Sequence, residues 1–450
     1  MSTSDGLSRS HCSFRVKNFF PLTPIEVSGI NPYGWYLFQA GLFILPSSGL
    51  LGAACLLLAS IFGTYKRQDS FWKDRWNYPL FIAAVWMIIG SVKAYSGWLA
   101  WIGLANWLPF FWLFWGLQPY LKTSNGRRRS AHLLIAGTLP VLITGFGQLW
   151  FDWEGPWQLL NGLIIWFINP GGQPPGRLSG LFDYANIAAA WLVVVWPFSL
   201  ATLIQPTTQS HKRIIALFFA IAIVIALSLT DSRNAWGGLV VAIPFVLGPL
   251  SWFWLIPSMI LLLLPIMLAI SPGVNFELQQ LARKIVPDGL WTRLSDMRFV
   301  DSRPLESTRI SQWKVAINLI QQKPWIGWGA AAFSVLYPLL GGFAHGHAHN
   351  LPLEVAVAHG FPVSIFLVST ILGLLIIALH RGILRVDNNI NGAIDSSVFD
   401  RAWWTSVFLL VCLHATDMPL FDSRINLVGW VLLAGLRCLL SSEKLSRNGL

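Results

Sequence analysis

The sequence predicts an all-α, polytopic membrane protein of about twelve transmembrane helices, with a large extracytoplasmic loop that contains interfacial helices. Composition is the first reason: of 450 residues, 54% are hydrophobic and only 11% charged, whereas soluble proteins carry about 25% charged residues. The mean hydropathy of +0.57 agrees. The second reason is the recurrence, along almost the whole chain, of apolar stretches suited to a hydrocarbon layer that takes about 20 helical residues to cross. The 25 Trp residues fit the same class, because Trp favours the membrane–water interface.

The first thirty residues are polar, with Arg9, Arg15 and Lys17, and contain no short apolar core followed by a small-residue cleavage site. Residues 1–34 therefore read as a cytoplasmic tail and not as a cleaved signal peptide. Apolar spans follow at about 35–46, 49–65, 78–93, 98–121, 130–150, 185–204, 213–230, 235–250, 252–270, 351–379, 402–417 and 422–440, which makes 35–440 the transmembrane domain. The first two spans are short enough to form a tight hairpin around Pro46 and Gly49. Residues 441–450 form a second cytoplasmic tail.

The loops support this count. Lys66, Arg67, Lys73 and Arg75 form one basic set; Lys122, Arg127, Arg128 and Arg129 another; Lys212 and Arg213 a third; Arg381, Arg385 and Arg401 a fourth; the C-terminal tail adds Lys444 and Arg447. With a cytoplasmic N-terminus, twelve spans put every set inside, as the positive-inside rule requires. The short loops 94–97 and 418–421 fall outside and contain no Lys or Arg. So do the longer segments 151–184, rich in Gly, Pro and Trp, and 271–350. Within the latter, Ser307 or Thr308 can cap a helix that Pro324 stops. Ile310, Trp313, Ile317 and Ile320 would share one face, with Arg309, Gln312 and Gln321 elsewhere, the pattern of a helix lying in the interface.

The net charge of +11 would raise nucleic-acid binding in a soluble domain. Here the basic residues lie in short loops between spans, so no nucleic acid is expected and the lipid bilayer is the partner. Cys12, Cys55, Cys412 and Cys438 are scattered, without metal-ligand spacing, and imply no disulfide framework. No cofactor is indicated.

Ionisable residues within or beside membrane spans are functional candidates. Arg177 sits just before a span in GRLSGLFDYANIAAAW, followed by Asp183 and Asn186. It is either a snorkelling or loop-paired arginine or a ligand-binding one. Arg233 lies in LTDSRNAWGG, a very short turn between two apolar spans. It can pair locally with Asp231, or offer its planar fork to phosphate. HGHAHNLPLE holds His345, His347, His349, Asn350 and Glu354 where the long loop enters the next span. Alternating histidines can hold a metal, serve structure, or supply a general base, since neutral His accepts a proton near physiological pH. All of these fall on one side of the predicted topology, and a base beside arginines that hold a phosphate-bearing leaving group describes a transferase.

Four segments, in order, carry a resemblance to a known family. GRLSGLFDYANIAA is similar to an arginine-then-Gly-x-Phe-x-x-x-Asn segment. DSRNAW is similar to a Ser-Arg element before a span, and STRISQWKVAINLIQQKPWIGWGAAAF to an Arg…Trp…Pro-x-x-Gly-x-Gly segment. HAHNLPLEVAVAHGFP is similar to a His-Asn-x-x-Leu lead-in to a span. Over about residues 177–375 the chain thus resembles the O-antigen ligase and O-antigen polymerase superfamily, membrane glycosyltransferases that use undecaprenyl-pyrophosphate-linked glycans.

The resemblance implies that Arg177 and Arg233 hold the pyrophosphate, that Arg309 and Asn350 contact phosphate or glycan, and that His349 acts on the acceptor hydroxyl. It implies an inverting, metal-independent enzyme of the inner membrane with its site on the periplasmic face. The donor would be a polyprenyl-pyrophosphate-linked glycan, and the acceptor a glycolipid, glycan or protein. His345 and His347 are extra to the family pattern. Some members of the superfamily have been labelled bicarbonate transporters, so an anion transporter is the alternative. A transporter, however, needs a site reachable from both sides, usually near midplane, and the candidates here share one face.

Overall fold

The computed structural model describes residues 30–65, 67–205, 210–295, 308–341, 345–383 and 394–447. Most of the N-terminal tail, Cys12, Ser307 and Arg385 lie outside these. The chain is an all-α bundle, as expected. Among the described residues, seven helices are long and apolar enough to cross a membrane: Trp98–Gly116, Ser124–Trp150, Ala185–Ile204, Ser210–Leu229, Pro249–Ile270, Phe361–Ala378 and Ser423–Leu440. Gly49–Thr64, Asn77–Val92 and Arg233–Leu247 are apolar but shorter.

Local chemistry sets the boundaries. Asn31 accepts hydrogen bonds from the Tyr33 and Gly34 amides and Pro32 opens the first helix, Pro32–Ile44. Ser48 accepts from Leu51 N–H to start Gly49–Thr64, so the expected tight hairpin forms. Gly248, at φ 91°, separates Arg233–Leu247 from Pro249–Ile270. A Cβ there would lie 2.9 Å from the Arg401 guanidinium, so glycine is required. The expected span 351–379 is two helices, Leu351–His359 and Phe361–Ala378, broken at Gly360. Ser423–Arg447 continues through the expected tail.

Three findings differ from the sequence-based expectations. Segment 151–184 contains a small antiparallel hairpin, Trp157–Leu159 with Ile164–Trp166. Its reversal is made by Leu160, Asn161 and Gly162, all at positive φ. Not every Trp lies on the outside of the bundle: Trp35, Trp191 and Trp403 are fully buried. Two of these indoles bond inside the bundle, Trp191 Nε1 to Thr138 Oγ1 at 2.9 Å and Trp403 Nε1 to the Leu432 carbonyl at 2.8 Å. In the interfacial helix Arg309–Gln322, Thr308 is the cap. The face turned inward there is Gln312, Ala316 and Leu319, while Ile310 and Ile317 are exposed. The stripe is therefore divided, with Ile310 and Ile317 outward and Trp313 and Ile320 half-buried.

The most buried helix is Ala185–Ile204. It packs against Ile394–Thr416, Ser210–Leu229 and Arg233–Leu247. A second, smaller core of Ala316, Leu319, Phe333, Tyr337, Ala348 and Val357 joins Arg309–Gln322, Ala332–Leu339 and Leu351–His359 into a platform. The WIGW turn locks this platform. Trp328 and Gly329 amides donate to the Val357 and Ala358 carbonyls at 2.8 Å, capping Leu351–His359. Gly327, at φ 67°, lies so close that a Cβ would meet the Ala358 backbone at 2.6 Å.

Helix Ile394–Thr416 divides the bundle into two polar ends. Near its start, Asp400 pairs with Arg127 at 2.9 Å, and Arg401 Nε donates to the Val246 carbonyl. Asp417 lies just beyond its other end, about 25 Å away at 1.5 Å per residue. Arg127 is only 1% exposed. Its Nη1 also donates to the Leu121 and Lys122 carbonyls. Asp400→Ala should strand this buried guanidinium and cost about 3–5 kcal/mol, lowering the thermal midpoint in detergent. Replacing both partners by apolar residues should cost less than the single change.

Candidate functional site

The end of the bundle opposite Arg127 gathers most of the singled-out residues around a carboxylate that sequence reasoning passed over, Asp417. Four chain segments meet there. The 171–177 turn brings in Arg177, with Leu178 N–H bonded to the Leu229 carbonyl at 2.9 Å. Arg177 Nε donates to the Thr230 carbonyl at 2.8 Å and its Nη2 to Asn186 Oδ1 at 2.6 Å. Asn186, in the first turn of Ala185–Ile204, passes the contact on: its Nδ2 donates to Asp417 Oδ2 at 3.2 Å. Arg309, at the start of the interfacial helix, puts Nη2 3.7 Å from the same oxygen.

The other carboxylate oxygen faces His349. His349 Nδ1 lies 2.9 Å from Asp417 Oδ1, which also accepts from the Met418 amide at 2.8 Å. An ionised carboxylate only accepts, so Nδ1 carries the proton that faces Asp417. Burial pushes the Asp417 carboxyl up. The hydrogen bond and charge from His349, the Arg309 guanidinium and the Met418 amide outweigh this and hold it down at about 2.

Asn350 is engaged at both ends of its amide. Its Oδ1 caps Leu351–His359 by accepting from Leu353 N–H at 3.0 Å, and its Nδ2 donates to the Ala415 carbonyl at 2.8 Å. Asn234 Nδ2 similarly reaches Thr416 Oγ1 at 3.0 Å. The end of Ile394–Thr416, where helix carbonyls lack intrahelical partners, is thus tied by Asn350, Asn234 and Asn186.

Arg233 begins Arg233–Leu247, next to Asn234 and hence beside this junction. Asp231, at φ 51°, has its carboxylate 2.9 Å from Arg293 Nε, and Arg293 also donates to the Asp231 carbonyl. The contrast with a second Asp-Ser-Arg sequence is informative. At 422–424 the turn closes on itself, with Arg424 bonded to Asp422 and, through Nη1, to the Leu181 carbonyl at 2.7 Å. Asp183 is exposed and stands outside the cluster.

His349 has φ 50°, a left-handed conformation that costs a non-glycine residue about 1–3 kcal/mol. His347 sits beside it, ring centroids 4.3 Å apart, with its Nδ1 accepting from the His349 amide at 3.3 Å. His345 is 5.8 Å from His349, centroid to centroid. Among the described residues, no group of three or more His, Cys, Asp or Glu side chains could hold a metal ion.

Such an arrangement, a carboxylate-oriented imidazole beside arginines at one end of an apolar helical bundle, defines a polytopic membrane protein equipped for proton transfer next to an anionic group. Residues 215–368 match the family model described as O-antigen ligase. No curated protein matches the chain. The matched stretch contains Arg233, Arg309, His349 and Asn350. Arg177, Asn186 and Asp417 lie outside it and join through the hydrogen bonds above.

Burial, followed by the neighbouring His349, pulls the His347 imidazole down to about 4. With an ordinary unfolded value of about 6.5, the unfolded chain binds more protons between those values, so stability falls as pH drops from about 6.5 to about 4. His347→Gln should shrink that fall in thermal midpoint and leave midpoints above about pH 7 unchanged. An identical pH dependence in the variant would show that His347 is not held neutral.

Proposed function

We propose that the protein is a membrane glycosyltransferase of the ligase or polymerase type, moving a glycan from a polyprenyl-pyrophosphate donor to an acceptor hydroxyl at the extracytoplasmic face of the inner membrane. The observation that carries this reading is the Asp417–His349 pair, 2.9 Å apart, with Arg309 against the same carboxylate and Arg177 linked to it through Asn186. The family match supports the class of enzyme.

In this mechanism, His349 Nε2 takes the proton of the acceptor hydroxyl as its oxygen attacks the anomeric carbon. The new glycosidic C–O bond forms as the bond from that carbon to the pyrophosphate breaks, and the pyrophosphate leaves on its lipid. One displacement inverts the anomeric centre. Arginines already in place stabilise the growing negative charge without reorganising, a task given to Arg177, Arg233 and Arg309. Asp417 keeps His349 in the tautomer with a free Nε2 and stabilises the imidazolium that forms. Asn350, bonded at each end of its amide within the protein, fixes the backbone beside His349 and keeps a second amide N–H with which to contact phosphate or glycan. The reaction as written uses no metal, so a chelator should leave turnover unchanged.

Sidedness follows from the basic loops. Lys122–Arg129 and Arg401 mark the cytoplasmic end, which puts Asp417 and residues 271–350 outside. Single cysteines near Arg128 and near Gln280 should label from opposite sides of the membrane. Labelling from the same side would sink the assignment of the site to the outer face.

The central test is Asp417→Asn. An asparagine can donate to Nδ1, which moves the ring proton to Nε2 and removes the base. Transfer from a lipid-linked donor should fall about 10²–10⁴-fold, as should that of His349→Ala, the range for loss of a general base. Arg233→Ala should cost about 10²–10³-fold, the scale of one preorganised charge-stabilising donor, with only partial rescue by Lys. Near-normal transfer by both Asp417→Asn and His349→Ala, at equal protein levels, would remove the base from the mechanism. Unchanged surface polysaccharide but altered anion uptake on gene deletion would point to the transporter.

A further inference from the structure

The residue before the proposed base has both of its backbone polar groups held by side chains from two different helices. Glu354, in the first turn of Leu351–His359, accepts from the Ala348 amide through Oε2 at 2.9 Å. Trp313, in the interfacial helix, donates from Nε1 to the Ala348 carbonyl at 3.0 Å. The Ala348 methyl is itself fully buried in the second core, against the platform formed by Ala316, Leu319, Phe333, Tyr337 and Val357. The next residue, His349, sits at φ 50°, and its amide is taken by His347 Nδ1. A strained, single-residue conformation survives only where its surroundings over-determine it, and three consecutive side-chain contacts to the backbone do that here.

A buried carboxyl is an expensive way to satisfy one amide. Glu354 is only 6% exposed, and Ala348 is the described backbone partner that it serves. Helix Arg309–Gln322 contributes at both ends of the same assembly: Arg309 reaches Asp417, and Trp313, one turn on, reaches Ala348. The carboxylate that orients the ring and the peptide that carries it are therefore gauged from one helix.

We infer that Glu354 and Trp313 are positioning residues, which clamp the Ala348 peptide groups so that His349 Nε2 is presented to the acceptor while Nδ1 stays on Asp417. The inference rests on the reading of His349 as the base. It adds that the base's aim is set by hydrogen-bond acceptance at Glu354 and not by its charge.

The experiment measures kcat and donor KM for transfer from a purified lipid-linked glycan by full-length variants in detergent or vesicles. Glu354→Gln keeps an acceptor oxygen at the same reach and should stay within about twofold of wild type, whereas Glu354→Leu should lose about 10–100-fold in kcat, the effect of a misplacement of about 1 Å, with donor KM nearly unchanged. Trp313→Phe, which keeps the ring and removes the N–H, should move kcat in the same direction by less. In a His349→Ala background, Glu354→Leu should add no further loss, because residues acting as one unit are not additive. A folded Glu354→Leu with wild-type kcat overturns the proposal, as does Glu354→Gln falling as far as Glu354→Leu, or a further loss in the His349→Ala background. Should Glu354→Leu fail to fold, Trp313→Phe together with Glu354→Gln decides: wild-type kcat in the first or a collapse in the second rejects it. Active His349→Ala defeats the base reading itself. Inactive His349→Ala alongside a normal Glu354→Leu defeats only the clamp.

Discussion

A half-buried carboxylate with its charge intact organises one end of this protein. Asp417 is partnered by the His349 ring, the Asn186 amide, the Met418 backbone amide and the Arg309 guanidinium. Taking a carboxylate out of water is costly, and the cost is offset only when its lone pairs are well occupied. That requirement fixes more than a single side chain. Asn186 starts the most buried helix, His349 ends a loop, Arg309 starts the interfacial helix, and Asp417 follows Ile394–Thr416. Elements far apart in the chain must converge within hydrogen-bond distance, so the electrostatics of one group set the relative placement of four.

Below that junction, the bundle isolates the site from the second polar end. Arg127 and Asp400 form their own closed pair, and the intervening helices are lined by Ala188, Ala189, Ala190, Trp191, Phe198 and Trp403. Indole N–H groups in this layer are satisfied within it. Reactive groups at a single end suit chemistry at one membrane surface better than passage across it.

Much of this was legible in the sequence, and the failures have specific causes. Hydropathy found the helices, and Thr308 and Pro324 marked the interfacial one, because caps and prolines act locally. Motif resemblance found Arg177, Arg233, Arg309 and His349. It did not find Asp417, which closes an apolar span 68 residues after His349. The positive-inside rule reads loop 418–421 for basic residues only. A lone acid at the end of a span was the available signal, since intramembrane and juxtamembrane ionisable residues are rarely idle. Periodicity grouped Ile310, Trp313, Ile317 and Ile320 into a stripe, but a stripe does not say what covers it, and Gln312 is the inward residue. Arg293, from a distant helix, reaches the Asp231 carboxylate, a competitor for any local pairing with Arg233. Short-range spacing cannot register such competition.

The hydrogen bond from Asn186 to Asp417 joins residues 231 positions apart, and both lie outside the stretch that matches the family model. The segment recognisable by descent and the segment that works as a unit are therefore different. A chimera that exchanged residues 215–368 between relatives would import a histidine and its interfacial helix while keeping the host's own orienting acid and its Arg177–Asn186 support. Evolution along this chain is correspondingly constrained: changes in the recognisable core must remain compatible with one aspartate and one asparagine that sequence comparison of that core does not contain.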